Sequence, residues 1–193
     1  MTSPILLLVG LGNPGDRYAH TRHNAGSRFV HQAAFDAGAV FRNEPKFNGR
    51  VASARIGGQD VRLFVAAAYM NESGRAIAGV ARFYKVPVEQ ILVAHDELDL
   101  PPGAVRLKKG GGHGGHNGLR DVILHLGSRD FSRLRIGIGH PGSADQVVDY
   151  VLRKPAKPDA ELMQEAIDAA RRELPVIVSG EFDLAMNQLH SCG

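Results

Sequence analysis

Apolar runs and helical spacings alternate along the first half of the chain. Ile5–Val9 is a continuous apolar run, as expected of a buried strand. Asn24–Ala37 carries apolar residues at helical spacing and is followed by a glycine, which favours a helix end there. Arg50–Ile56 and Val61–Ala66 flank Gly57-Gly58, and a glycine pair between two such runs is typical of a hairpin turn. The first half therefore predicts a strand, a helix and a hairpin, in that order.

The second half continues the pattern, with short strand-like runs between longer helix-like segments. The predicted helices are Ser73–Phe83, Leu119–Leu126, Ala160–Val178 and Phe182–Leu189, and the predicted strands are Ile91–Ala94, Val105–Leu107 and Leu134–Ile138. Pro175 is expected to break or kink the third of these helices, because proline lacks the N–H that a helix interior uses. No repeat, low-complexity tract or linker divides the chain. We therefore predict an α/β fold in a single domain over residues 1–193, with a twisted mixed β-sheet surrounded by helices.

Composition places the chain among ordinary globular proteins and narrows its chemistry. Of its 193 residues, 44% are hydrophobic and 22% are charged. The longest apolar run is too short to cross a bilayer and lacks a basic flank, so we expect no membrane segment and no signal peptide. The single cysteine, Cys192, excludes an internal disulfide and a cysteine-based zinc or iron–sulfur site. A cytoplasmic location fits these features best.

Charge is spread unevenly over a chain whose net charge is only +3. Val105–Arg135 holds seven Lys or Arg residues against Asp121 and Asp130, whereas residues 155–193 carry more acids than bases. A basic segment inside a nearly balanced chain suits contact with a polyanion. A solvated charged face explains the same residues, and charge alone favours that explanation slightly.

A glycine-rich loop lies within this basic segment. From Lys108 to Leu119 the chain reads KKGGGHGGHNGL. Glycine at this density costs backbone entropy, and a fold tolerates it mainly where a ligand approaches the backbone closely. A helix that begins near Asn117 would add free N–H groups, which suit an anion or a carbonyl oxygen. The alternative is a flexible solvated connection, although linker glycines usually come with serine and without paired His and Asn.

Polar side chains able to do chemistry follow most of the predicted strands. They are Asn13, His23, Asn71, His95-Asp96-Glu97, His116 and Asn117. In open α/β sheets, ligands bind at the carboxyl ends of the strands, so we expect these groups to converge there.

His23 is the best candidate for a general base. A neutral imidazole accepts a proton from water near pH 7 when a partner fixes its tautomer, and Asp96 is the candidate partner. The alternatives are a capping histidine and a turn carboxylate. Asn13, Asn71 and Asn117 could bind peptide groups or an oxyanion, because carboxamides both donate and accept. Each of these three amides could also be a turn residue or a helix cap.

Other chemistries have weaker support in the sequence. Gly10–Gly15 matches the dinucleotide pattern G-x-G-x-x-G, but Pro14 stiffens it and no acidic residue ends a second strand. No G-x-S-x-G motif marks a nucleophilic serine. A metal-dependent phosphoesterase would draw on His113 and His116, which lie three apart in a loop that does not preorganise them. A non-catalytic RNA-binding protein would use the basic segment but would leave His23 and the amides without a common role.

The chain resembles bacterial-type peptidyl-tRNA hydrolases in five segments that occur in order. They are Gly10–Gly15 with Tyr18 and Thr21–Gly26, then Tyr69–Gly74, His95–Gly103, Gly110–Leu119 and Arg133–Gly142. The resemblance implies an α/β fold that hydrolyses the ester between a nascent peptide and the 3′ ribose of tRNA. It further implies peptidyl-tRNA as the partner, a monomeric state, and no cofactor or metal.

By motif position, the resemblance assigns roles to twelve side chains. It makes His23 the catalytic base, Asp96 the group that sustains its basic form, and Asn13 a residue that helps to distinguish N-blocked peptidyl-tRNA from free aminoacyl-tRNA. The substrate-contacting positions are Tyr18, Tyr69, Met70, Asn71, His116 and Asn117, and the tRNA phosphate positions are Lys108, Arg133 and Arg135. Val65–Ala68 departs from the family, in which proline and threonine are common there, so we expect a looser cleft wall.

Overall fold

A mixed β-sheet forms the centre of the protein, whose computed structural model describes residues 3–190. Its seven strands are β1 (Leu7–Gly10), β2 (Arg42–Glu44), β3 (Gly49–Ile56), β4 (Gln59–Ala66), β5 (Ile91–Glu97), β6 (Val105–Lys109) and β7 (Ser132–Gly137). Their order across the sheet is β2-β3-β4-β1-β5-β7-β6. Strands β4, β1, β5 and β7 run parallel, whereas the pairs β2–β3, β3–β4 and β6–β7 are antiparallel.

Helices cover both faces of the sheet. Over residues 3–190 they are α1 (Ala25–Asp36), α2 (Ser73–Phe83), α3 (Asn117–Leu126), α4 (Val147–Val151), α5 (Lys157–Val178) and α6 (Phe182–His190). Successive strand residues face opposite sides, so Leu8 of β1 packs with α1, α5 and α6, while Leu7 and Val9 pack with α2 and α3. No helix in this part of the chain is long and apolar enough to span a membrane.

The predicted fold class and mixed sheet are confirmed. Every predicted strand and helix is present, with ends shifted by a few residues. The hairpin forms as expected, since β3 and β4 pair from Gly49 opposite Ala66 to Ile56 opposite Gln59. Gly57 and Gly58 both have positive φ, 55° and 81°, as a tight hairpin turn of this kind requires.

Four elements differ from the sequence-based expectation. The strands and helices missed were β2 and α4, which have only three and five residues and so show little periodicity. Strand β5 continues past Ala94 to Glu97, because these polar residues pair with β7. Helix α5 continues through Pro175, so the expected break does not occur. Its last turn is held because Ile177 and Val178 are fully buried and the Val178 carbonyl accepts from the backbone N–H of Ile5.

Two glycines let α1 lie directly on the central strands. A Cβ atom at Gly26 would lie 2.0 Å from the carbonyl oxygen of Ala94 in β5, and one at Gly10 would lie 2.6 Å from the carbonyl oxygen of Gly26. Any side chain would push the helix away from the sheet. This close approach holds His23, three residues before Gly26, against the end of β5.

Candidate active site

His23 and Asp96 meet at the carboxyl ends of β1 and β5. His23 lies in a short 3₁₀ turn, Arg22–Asn24, that leads into α1, and Asp96 is near the end of β5. The Nδ1 atom of His23 is 2.9 Å from Oδ2 of Asp96, which is only 2% exposed. An ionised carboxylate can only accept, so Nδ1 carries the hydrogen and donates it. In the neutral ring, Nε2 is therefore the basic atom.

His116 gives Asp96 a second hydrogen bond. Its Nε2 atom lies 2.8 Å from Oδ1 of Asp96, and its Nδ1 accepts from the backbone N–H of Leu119 at 3.2 Å. Because Nδ1 is an acceptor, the neutral ring must carry its hydrogen on Nε2. His116 therefore caps α3 with one nitrogen and donates to Asp96 with the other.

Burial and charge shift the pKa values of this network in opposite directions. Burial alone would lower the pKa of His23, but the charge and hydrogen bond of Asp96 outweigh it and raise that pKa. Burial alone would raise the pKa of Asp96, but the neighbouring His23 and His116 hold it well below its usual range. The adjacent His95 is fully enclosed, and burial lowers its pKa to about 3. Asp96 is thus ionised and His95 neutral at pH 7.

A cleft of about 290 Å³ opens beside His23. The sequence-predicted residues that line it are Asn13, Tyr18, His23, Tyr69, Met70, Asn71, Asp96, His116 and Asn117. Tyr18 and Tyr69 meet edge-on, with ring centroids 6.5 Å apart. Oδ1 of Asn13 accepts from the backbone N–H of Met70 at 2.8 Å. The carboxamide N–H groups of Asn13 are thus the ones left for a ligand.

One wall of the cleft is apolar and was missed by the sequence-based reasoning. It consists of Leu98 with four residues of and after α4, namely Val147, Val148, Val151 and Leu152. Arg22 anchors this wall, since its guanidinium lies 3.9 Å from the centroid of the Tyr150 ring and donates to the Tyr150 carbonyl at 3.2 Å. The apolar cluster that follows the last strand was the available signal in the sequence.

Arg133, which is predicted to contact tRNA phosphate, lies beneath the glycine-rich loop. It is 3% exposed, and its guanidinium donates to the carbonyl oxygens of Gly111 and Gly112. Arg133 lies opposite Lys108 in the β6–β7 pair and holds the glycine-rich loop, and its contact with phosphate stays a prediction.

The other two predicted phosphate residues are more accessible. Lys108 is exposed at the edge strand β6. Arg135 is partly buried and forms an ion pair with Glu97, with Nη2 2.6 Å from Oε1. Of the three, Lys108 is therefore the exposed residue whose charge has no ion-pair partner within residues 3–190.

His23, Asp96 and His116 also have the composition of a metal site. Ligand atoms of His23, Asp96 and His116 all lie within 4.8 Å of one another. As bonded here, the two ring nitrogens that face the carboxylate both carry hydrogen, so neither offers a lone pair to a metal ion. His113 is outside this group, and its Nδ1 accepts from the backbone N–H of Gly115 at 3.0 Å. The arrangement fits a hydrogen-bonded network better than a metal centre.

Known proteins are similar to this chain in both sequence and fold. The family model for peptidyl-tRNA hydrolase matches residues 7–193. The chain is 54% identical to the peptidyl-tRNA hydrolase of Saccharophagus degradans over 188 residues, covering 97% of this chain and 95% of that protein. It is 53% identical to that of Vibrio parahaemolyticus over 192 residues, covering 99% and 98%. The chain belongs to the peptidyl-tRNA hydrolase family. A crystal structure of peptidyl-tRNA hydrolase from Acinetobacter baumannii matches with a TM-score of 0.96 at 50% identity, covering 100% of this chain and 97% of that one.

Membership of the peptidyl-tRNA hydrolase family confirms the resemblance seen in the sequence. The loop Gly10–Gly15 also differs from a dinucleotide site, since only a three-residue 3₁₀ turn, Asp16–Tyr18, follows it directly and α1 begins at Ala25. Cys192, the single cysteine, lies outside the described residues.

Proposed function

We propose that this chain hydrolyses peptidyl-tRNA at the ester between the peptide and the 3′ ribose, with His23 activating the attacking water. The observation that carries this proposal is the 2.9 Å bond from His23 Nδ1 to Asp96, which leaves Nε2 as the basic atom at the cleft. An imidazole with a fixed tautomer is the group that direct hydrolysis by water needs. The relatives named peptidyl-tRNA hydrolases support the same substrate.

The reaction requires two proton transfers through His23. Nε2 takes a proton from water as the water oxygen attacks the ester carbonyl carbon, which gives a tetrahedral intermediate with a negative oxygen. Asp96 stabilises the resulting imidazolium, and the same interaction raises the pKa of His23. The bond from carbon to the ribose oxygen then breaks, and the imidazolium gives its proton to that oxygen. The products are a peptide acid, which ionises in solvent, and tRNA with a free 3′ hydroxyl.

His116 acts in this proposal as a positioning residue for Asp96. Its two ring nitrogens are taken by Asp96 and by the Leu119 N–H, so neither is free to move a proton. Its donation to Oδ1 keeps the carboxylate oriented so that Oδ2 faces His23. The predicted substrate contact of His116 is then limited to its ring surface.

Asn13 is expected to set the preference for N-blocked substrates. With Oδ1 bonded to the Met70 N–H, its remaining N–H donors suit the carbonyl of an acyl group and repel a free ammonium. Asn13→Asp keeps the shape but presents a carboxylate oxygen, so it should narrow or reverse the preference for N-acetyl-aminoacyl-tRNA over aminoacyl-tRNA. The measurement is kcat/KM for both substrates. The change in their ratio should correspond to about 0.5–1.5 kcal/mol, the contribution of one neutral hydrogen bond. An unchanged ratio would show that Asn13 does not help to distinguish the two substrates.

Lys108 is expected to act on tRNA binding alone. Lys108→Ala should raise KM for full-length substrate and leave kcat nearly unchanged, because the exposed ammonium serves as a point charge for phosphate. Its loss should also flatten the plot of log K against log salt by about 0.7–0.9. An N-acetyl-aminoacyl ester of a short 3′ fragment should be hydrolysed as by the wild type. Equal losses on both substrates would contradict the phosphate role.

Arg133 is expected to behave differently from Lys108. Arg133→Ala removes the donors that hold the Gly111 and Gly112 carbonyls, and His116 follows in the same loop. We therefore expect kcat to fall on both the full-length and the short substrate. Arg133→Lys, which cannot reproduce two parallel bonds, should rescue little. A loss confined to KM for full-length tRNA would restore the predicted phosphate contact.

The function itself is tested by incubating the purified protein with N-acetyl-aminoacyl-tRNA and excess chelator. Release of free tRNA supports the proposal. Binding without release favours a non-catalytic RNA-binding protein, and release that stops with chelator favours a metal-dependent enzyme. The monomeric state and the cytoplasmic location remain predictions, and light scattering checks the first.

A further inference from the structure

A second groove adjoins the cleft at Asn13. It has a volume of about 610 Å³, and Asn13 lines both cavities. Asn24, which also lines the second groove, is bonded to the Asn13 backbone on both sides, with each bond 2.9 Å long. We call this second cavity the basic groove, after its lining residues Arg28, Arg50, His20 and His31.

Arg28 is a cation without a partner in the basic groove. Burial lowers the pKa of its guanidinium, and its Nε atom is buried without a hydrogen-bond partner. Among residues 3–190, none forms a hydrogen bond or ion pair with this side chain. A guanidinium that is partly removed from water usually has an anion beside it, because the unpaired charge is costly. The groove therefore offers an unmatched positive charge to a ligand.

Arg50 adds a second guanidinium that is held in place by a neutral histidine. Nδ1 of His31 lies 2.8 Å from the Ser27 carbonyl and so carries hydrogen, which leaves Nε2 to accept from Arg50 at 2.9 Å. Burial, together with the charge of Arg50, lowers the pKa of His31 and keeps it neutral. Asp16 is the one carboxylate among the lining residues, and it makes no ion pair with any residue that the structure describes. The groove is thus net positive.

The sheet places the basic groove and Lys108 on opposite sides of the catalytic pair. Val65 and Ala66 at the end of β4 border the groove, and Arg50 comes from β3, whereas Lys108 belongs to β6. In the strand order β2-β3-β4-β1-β5-β7-β6, His23 and Asp96 lie at β1 and β5, between the two regions. This order allows a substrate with its tRNA half at Lys108 and its ester at His23 to extend its other half toward β4.

We propose that the basic groove binds the peptide half of the substrate and favours peptides with an acidic side chain close to the ester. This inference rests on the proposed hydrolysis of peptidyl-tRNA. An Asp or Glu carboxylate supplies the anion that Arg28 lacks, and a guanidinium can bind a carboxylate through two parallel hydrogen bonds. Ala66 and Ala67 belong to the segment Val65–Ala68, for which the sequence predicts a looser cleft wall. Their small side chains leave room for the acidic side chain of the peptide.

The test uses N-acetyl-tripeptidyl-tRNA substrates on one tRNA, with alanine at the ester position. Glu, Ala or Lys occupies either of the two upstream positions, and kcat/KM is measured for each. We expect the wild type to prefer Glu over Lys by roughly ten-fold, the scale of a charge-assisted bond weakened by partial exposure. Arg28→Gln should bring this ratio close to one, Arg28→Lys should keep part of it, and Arg28→Glu should favour the Lys peptide.

Controls separate the groove from the rest of the enzyme. Arg55→Gln removes a guanidinium that is exposed and paired with Asp60 on the β3–β4 hairpin, and it should leave the ratio unchanged. Arg50→Gln is a second groove variant at an exposed position and should also lower the Glu-to-Lys ratio. It provides the test if Arg28→Gln folds poorly.

Three results would overturn the inference. The first is a wild-type ratio near one, or the same ratio in both groove variants as in the wild type. The second is an equal loss on the Glu, Ala and Lys peptides with a flatter salt dependence, since this would place RNA phosphate in the groove. The third is failure of the wild type to hydrolyse the all-alanine peptide, which refutes the hydrolase proposal and the groove proposal with it. The all-alanine substrate thereby distinguishes the two failures.

Discussion

Replacing His23 with alanine is expected to slow hydrolysis of N-acetyl-aminoacyl-tRNA by ~10²–10⁴-fold or more, the usual loss for a general base. KM should change little, because the amides, tyrosines and Lys108 that would hold the substrate are untouched. The loss is large since His23 lines the cleft and its bond to Asp96 leaves Nε2 as the basic atom of the ring. Single-turnover rates with saturating enzyme measure the chemical step directly.

The control for this variant is another histidine outside the cleft. His140→Ala removes an exposed ring whose Nδ1 only accepts from the Gly142 N–H, and it should leave turnover intact. Thermal unfolding of His23→Ala shows whether the protein still folds when Asp96 has lost one hydrogen-bond donor. We expect it to fold, because Asp96 keeps its hydrogen bond from His116. Near-normal turnover in a folded His23→Ala protein would exclude His23 as the base.

The meeting of His23 and Asp96 could be predicted from the sequence because their positions follow from strand patterning. The buried apolar runs of β1 and β5 mark two strands, and polar residues at or after their ends meet at one edge of a parallel sheet. The structure adds the reason that the approach is so close: Gly26 brings α1 onto β5 without a side chain between them. Spacing alone could not give the 2.9 Å bond between His23 and Asp96.

Roles that depend on distant contacts could not be obtained from the sequence. Arg133 and Arg135 look alike in a basic segment, yet one is buried under the glycine-rich loop and the other is paired with Glu97. Both side chains leave β7 on the same face, so the difference comes from the group that covers each one, the glycine-rich loop or Glu97, and local patterns do not fix that. The apolar wall of α4 depends on the anchor at Arg22, a contact between positions more than a hundred residues apart.

The tautomer of His23 depends on such a contact as well, and this makes Asp96→Asn informative. A carboxamide has one acceptor oxygen, whereas Asp96 now accepts from both His23 and His116. His116 cannot move its hydrogen to Nδ1, because Nδ1 accepts from Leu119. The new carboxamide oxygen must therefore face His116, and its NH₂ group must face His23. His23 then accepts at Nδ1 and carries hydrogen on Nε2, so the basic atom is lost.

We therefore expect Asp96→Asn to lower kcat by roughly 10²–10⁴-fold with little change in KM. The pH profile gives a second readout. In the wild type the base must be neutral, and since Asp96 raises the pKa of His23 above its ordinary value of 6.5, activity should fall as pH drops through a pKa above 6.5. Without that charge the acidic limb of the residual activity should move to lower pH. A variant that raises only KM would make Asp96 a binding residue.

The double variant Asp96→Asn with His116→Ala tests the tautomer argument itself. Once His116 is gone, the carboxamide is free to turn its oxygen toward His23, which restores a donor at Nδ1 and the base at Nε2. The combined loss in kcat should then be smaller than the product of the two single losses, as expected for residues that share a partner. His116→Ala alone should cost less than Asp96→Asn, because Asp96 keeps its bond to His23. Fully multiplicative losses would mean that His116 does not control how the group at position 96 faces His23.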